Sequence, residues 1–306
     1  MAQCVAAAAQ PTIRNQPIWV ASLSMREGMG TRDEGSRRIV LCADDFGMNT
    51  AVDAGILALA RSARLTGASC LVDGPSFAAG AGELAASGLQ LGLHLNFTES
   101  FGQAGPCLPL RSLIAAAYSA RLDQGALRAS LQRQLQLFHD HIGRSPDYID
   151  GHQHVHQLPG IRTCVLQTLA TFPEPRRPWL RDTSRPRVLG LPLRLQLKAR
   201  VIAALGASAL RREAQALGIR MNEGFLGVYD FQGGVSAYLR WMRAWLLACR
   251  DGDVLMCHPA LGADADDPLS AQRQAEFQVL NGSALAELLV RHGVAILAPR
   301  ALQSAS

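Results

Sequence analysis

The stretch "IVLCADDFGMN", residues 39–49, runs five apolar residues straight into two adjacent aspartates. An uninterrupted apolar run of that length, bounded by turn residues, is the pattern of a strand buried on both faces of a parallel sheet. Asp44 and Asp45 therefore stand at the mouth of a core strand. Burying an ionised carboxylate there is costly unless it is paired or bound to a metal. One of the two has an ordinary explanation as a helix cap, because helical spacing resumes near Asn49. One cap needs only one carboxylate.

The same alternation continues outward from this strand. "RIVLCA" precedes a helix over about 49–63, and "GASCLV" one over about 76–87. "LQLGLHL" leads into a longer segment with a helix over about 124–141. "DYIDGHQ" precedes a helix over about 160–171, and "WLRDT" a helical region over about 192–217. "EGFLGVY" is a shorter strand. "DVLMCH" follows a helix over about 236–249, and "GVAILA" follows one over about 270–292. Strand and helix in turn predict a parallel α/β architecture. The number of units points to a single-domain, TIM-barrel-like (β/α) barrel over residues 37–306, irregular or incomplete in closure. No G-x-G-x-x-G follows the first strand, which argues against a dinucleotide fold. Residues 1–36 lack sustained periodicity and read as a disordered N-terminal extension, or as an overlong start with Met25 or Met29 as the initiator.

Composition narrows the class. Of 306 residues, 48% are apolar and 18% charged, which suits a sizeable core. The net charge is +5, yet no basic run is interleaved with aromatics, so nucleic acid is not an expected partner. Lys198 is the single lysine, and the other basic residues are arginines. Seven widely spaced cysteines without a C-x-x-C pair predict a reducing compartment. No stretch is long and apolar enough to span a membrane and no full signal peptide is present, so stable membrane insertion is not expected and the cytoplasm is the default.

Four strands end in Asp or His: Asp44-Asp45, His94 after "LQLG", Asp150 after "YI", and His258 after "VLMC". Carboxyl ends of parallel strands converge on one face, where sites are built. In an extended backbone Asp44 and Asp45 point to opposite sides, which lets one bind a metal while the other handles protons. In "GLHLN", His94 alternates with leucines and points with the polar set. In "DGHQHVH", His152, His154 and His156 share one side if the segment is extended. An aspartate with two histidines is a sound set for a divalent ion, leaving positions open for water and substrate.

"ADDFG", "GLHLN", "DGHQHVH" and "CHPA", in that order, resemble the YdjC-like carbohydrate deacetylase family across about residues 37–300. The resemblance implies a TIM-barrel-like fold and metal-dependent removal of acetyl groups from N-acetylated sugars, whether oligosaccharide, nucleotide-linked or lipid-linked. By motif position it implies one divalent ion, Mg or Zn, held by Asp45, His94 and His152. Asp44 matches the base and His258 the second catalytic group. Gln153 stands where some members have a further histidine, which leaves His154 and His156 as contacts to substrate or as supports behind the metal ligands. Arg181, at the end of "WLRDT", is expected to contact substrate, and the arginine-rich segment 176–220 to favour an anionic group. A homodimer is compatible with this reading. Competing readings are a phosphoester hydrolase, which usually needs two metals, a non-haem iron oxygenase with the same ligand types, and a sugar-binding protein without turnover.

Overall fold

A computed structural model describes residues 36–102 and 106–298. The extension expected over residues 1–36 falls outside these except for Ser36. Each apolar run becomes a parallel strand: β1 (Arg37–Phe46), β2 (Gly67–Cys70), β3 (Gln90–Leu95), β4 (Tyr148–Gly151), β5 (Trp179–Leu180), β6 (Phe225–Leu226), β7 (Val254–Cys257) and β8 (Val294–Ile296). Their order is β5-β4-β3-β2-β1-β7-β6, with β8 paired to the first residues of β1. Between β5 and β6 closure rests on two isolated parallel bridges, Leu180 with Met221 and Pro186 with Phe225. The sheet is thus an irregular barrel, as the alternation predicted.

Helices cover the outside: α1 (Thr50–Arg61), α2 (Phe77–Ala86), α3 (Leu110–Tyr118), α4 (Gln124–Ile142), α5 (Ile161–Ala170), α6 (Leu193–Ala204), α7 (Ala207–Ala216), α8 (Gly234–Ala248), α9 (Ser270–Asn281) and α10 (Ser283–His292). Asn49 caps α1 by accepting the Val52 N–H at 2.9 Å. The cap reading of the aspartates is thereby released. Two expected helices are each split. The 192–217 region breaks at Gly206, whose φ of +106° and whose approach to the Gln157 carbonyl, 2.3 Å from an added Cβ, require glycine. The 270–292 region breaks at Gly282, which is extended. α3 escaped the sequence reading because its short run has only Leu113 and Ala117 buried.

Leu91, Leu93 and Leu95 on β3 are fully buried in the core that also takes Leu41 of β1 and Leu255 of β7, each such side chain contributing roughly 1.5–3 kcal/mol. Gly92, between the leucines, lies against the Tyr148 ring, which stacks on Trp179 with centroids 4.4 Å apart. An added Cβ would stand 2.1 Å from that ring. The ring cannot swing away without breaking the Tyr148 hydroxyl's contacts to Cys42 Sγ, 2.9 Å, and Ser69 Oγ, 3.0 Å. Gly92→Ala should therefore destabilise the fold by about 1–3 kcal/mol, the usual cost of overpacking. Urea unfolding checks this, and an unchanged midpoint would show that the ring is not so constrained.

Candidate functional site

Because every ladder is parallel, the last residues of β1, β3, β4 and β7 meet at one end of the sheet. β1 reaches it irregularly. Ala43 pairs with Ala68 but Phe46 with Cys70, so β1 carries one extra residue, and Asp45 has a left-handed φ of +75°. A bulge of this kind re-aims a side chain. Asp44 stays with Cys42 on the inner side, 3.6 Å from its thiol, while Asp45 swings to His94 and His152. The expectation that the two aspartates point to opposite sides is corrected: both enter the same site.

Asp45 Oδ1 lies 3.3 Å from His94 Nε2 and 3.0 Å from His152 Nδ1. The potential ligand atoms of these three buried residues lie within 4.8 Å of one another. His94 is held from behind, its Nδ1 2.7 Å from Asp150 Oδ1. That carboxylate fixes the ring and leaves Nε2 turned to Asp45, as metal-ligating histidines are commonly supported. Asp45 Oδ2 accepts from Arg273 at 2.8 Å, and Glu99 Oε1 stands 3.8 Å from His152 Nε2. Asn96 positions Glu99 by accepting the N–H groups of Thr98 and Glu99. The last residue of "GLHLN" therefore shapes the loop over the site.

A second cluster lies directly beneath. The Arg181 guanidinium, fully buried, donates to both oxygens of Asp44 at 2.6 and 2.7 Å and stands 2.6 Å from Asp150 Oδ2. Ser69 Oγ donates to the same Asp150 oxygen at 2.7 Å. Burial alone would raise the Asp44 carboxyl, but Arg181 outweighs it and holds the group well below the usual carboxylate range. Burial likewise opposes ionisation of Asp45, and Arg273 followed by His152 overcomes it.

These surroundings test whether the triad suits a cation. Asp44, Asp45 and Asp150 bring three buried carboxylates against the two guanidiniums of Arg181 and Arg273. Burial favours a neutral His94, yet Asp150, Asp45 and Asp44 drive its pKa up to about 10. The pocket demands positive charge at His94 Nε2, and a divalent ion shared with Asp45 and His152 satisfies that demand. The donor set fits.

His258 follows β7, whose Cys257 pairs with Ala43 and sets His258 beside Asp44. Its backbone N–H donates to Glu276 Oε2 at 2.7 Å, and its half-buried ring meets Phe231 with centroids 4.9 Å apart. Burial chiefly, with Arg273 and His94 adding to it, lowers its pKa to about 4 despite Asp45 and Asp44, so the ring is neutral at pH 7. Its Nδ1 has no partner among the described residues.

The remaining histidines separate. "HQHVHQ" folds as a tight 3₁₀ turn with left-handed Gln153 and His154, so the three imidazoles do not share a strand face. His156 is fully buried and its Nε2 bonds the Arg181 carbonyl at 3.0 Å. It braces Arg181, the supporting role, and its full burial turns it away from the substrate contact that was the other expectation. His154 is half-buried, edge-on to Phe225 at 5.5 Å. Arg181 is likewise sealed and committed to two carboxylates, so the expected contact with substrate is withdrawn.

The anionic preference read into segment 176–220 loses several of its carriers. Arg185 pairs with Glu223, Arg187 with Asp253, Arg194 with Asp230 and Arg211 with Asp182. Glu223, Asp230 and Asp253 lie outside the segment that was counted. Asp150 had a signal in the sequence, its place at a strand end. Arg273 and Glu276 sit on α9 with none.

The YdjC-like protein family model matches residues 38–291. A mouse protein named carbohydrate deacetylase is 30% identical, the match covering 85% of this chain and 93% of the mouse one. Its human counterpart of the same name is 28% identical, with 85% and 90% covered. The crystal structure of an Enterococcus faecalis protein, titled with a provisional role in cellobiose-phosphate cleavage, superposes with a TM-score of 0.62 at 21% identity. It covers 87% of this chain and 99% of that one, and shows the same fold.

Proposed function

This chain belongs to the YdjC-like family, and from that premise we propose that it is a metal-dependent hydrolase that removes the acetyl group from an N-acetylated sugar. One observation supports this above the others: the buried Asp45–His94–His152 triad has a separate carboxylate, Asp44, at its side and His258 next to that on the neighbouring strand. A ligand site alone does not need either neighbour.

Asp45, His94 and His152 would hold one divalent ion, Mg or Zn, which would supply a Lewis acid and lower the pKa of water, to roughly 7 in the case of Zn. Asp44 accepts the water's proton at a carboxylate oxygen. The Arg181 fork keeps it ionised and fixes its plane, while each oxygen retains a lone pair for that proton. Once protonated, Asp44 can return that proton to the departing amine. Neutral His258 donates an imidazole N–H to the oxyanion that develops on the acetyl carbonyl. His154, half-buried and uncommitted at Nδ1, is the histidine of the turn best placed to meet the sugar.

Arg181 also weighs against the two-metal phosphoesterase reading. Cys42, Asp44 and Asp150 form a second group with ligand-like spacing, but the guanidinium already neutralises its carboxylates. Asp44→Asn leaves the three ligands in place. It should lower acetate release by about 10²–10⁴-fold while metal content stays at one per chain. Wild-type turnover in this variant would remove Asp44 from the chemistry, and absence of acetate from the unsubstituted protein across N-acetylated sugars would overturn the deacetylase reading.

A further inference from the structure

The opposite end of the sheet carries a cleft that the chemistry above does not use. Gln90 begins β3, Trp179 begins β5 and Asp147 precedes β4; all three line a cavity of about 900 Å³. His94 lies four positions along β3 from Gln90, roughly 13 Å at the rise of a strand. Arg144, Arg176, Arg177 and Arg220 also line it, against the carboxylates of Asp147 and Glu174. Arg144 pairs with Asp147 at 2.8 Å. Arg177 spends its terminal nitrogens on the Phe172 and Leu217 carbonyls. The exposed Arg176 side chain makes no hydrogen bond or ion pair among the described residues.

Two donors in this wall are left over. Gln90 is only 4% exposed, and its Oε1 accepts the Trp179 indole N–H at 3.3 Å. That bond fixes which way the amide faces and leaves buried Nε2 without a partner, as is Arg177 Nε. A buried unsatisfied donor is destabilising. Arg176 and Arg177 meet no carboxylate among the described residues, and together with the orphaned N–H donors they call for a ligand made of acceptor oxygens and negative charge. A smaller pocket of about 310 Å³, walled by Leu135 and Phe172, shares His139, Ser145 and Pro146 with the cleft and leaves room for an organic body.

We propose that this cleft binds a phosphate-bearing small molecule, at a site separate from the deacetylase centre. The ligand is recognised by its phosphate oxygens, whether free or esterified. Calorimetry on the metal-loaded full chain, with inorganic phosphate in one arm, glucose 6-phosphate in another and chloride of equal ionic strength as control, tests it. Saturable binding in either phosphate arm should weaken roughly tenfold or more in Arg176→Glu, the worth of one charge-assisted hydrogen bond, with acetate release unchanged. Arg176 is exposed and makes no side-chain bond, so this variant should keep its fold; Arg144→Gln, on the same wall, gives an independent second reading. Binding that matches chloride, or that is the same in both variants as in the unsubstituted chain, overturns the proposal, the latter placing the anion at the metal instead.

Discussion

His94→Ala should lose the bound metal and bring acetate release down to background. The histidine supplies Nε2 to the triad, 3.3 Å from Asp45 Oδ1, and its removal leaves two ligands where a divalent ion in such sites usually takes three from the protein. It also removes the group standing between Asp45 and Asp150, so two buried carboxylates then face an emptied space. Asp150→Asn gives the graded comparison. There the ring stays but loses the anion behind its Nδ1, and a loss of about 10–100-fold in metal affinity or activity is expected. Metal analysis after dialysis, beside acetate release, reads both. His94→Ala that retains one metal per chain and wild-type rate would mean that the ion sits elsewhere.

Arg181→Met should be the most damaging substitution for the fold itself. Arg181 is fully buried and is the direct ion-pair partner of both Asp44 and Asp150. Removing one partner of a buried ion pair costs about 3–5 kcal/mol, because the remaining charge has neither water nor counterion. Here Asp44 loses its counterion outright, and Asp150 is left with His94 and Ser69 alone. Arg181→Lys separates charge from geometry: an ammonium restores a positive charge but not the fork that grips both Asp44 oxygens. The lysine variant should recover part of the stability and little of the activity. Equal stability of the methionine variant and the unsubstituted chain in urea would show that the aspartates take up protons at no cost to the fold.

Much of this was legible in the sequence, for a physical reason. Strands buried on both faces are largely apolar, so the inner strands such as β1 and β7 announced themselves, and polar residues at their ends had to converge once the ladders were parallel. Helix breaks were less visible. Gly206 looks like any glycine until the Gln157 carbonyl is seen where its side chain would be. The arginine-rich segment misled because a linear count sees charges only along the chain, whereas Arg187 finds Asp253 across 66 residues.

By itself the sequence determined the barrel of alternating strands and helices, the strand ends on which Asp44, Asp45, His94, His152 and His258 stand, and the motifs shared with the family. Only the tertiary structure decided what each of them touches. A bulge and one left-handed residue turned Asp45 towards the histidines, a 3₁₀ turn dispersed the three imidazoles, and Arg181 became the counterion of the buried aspartates. Those outcomes depend on register and backbone torsion across strands far apart in the chain, and local pattern holds no record of either.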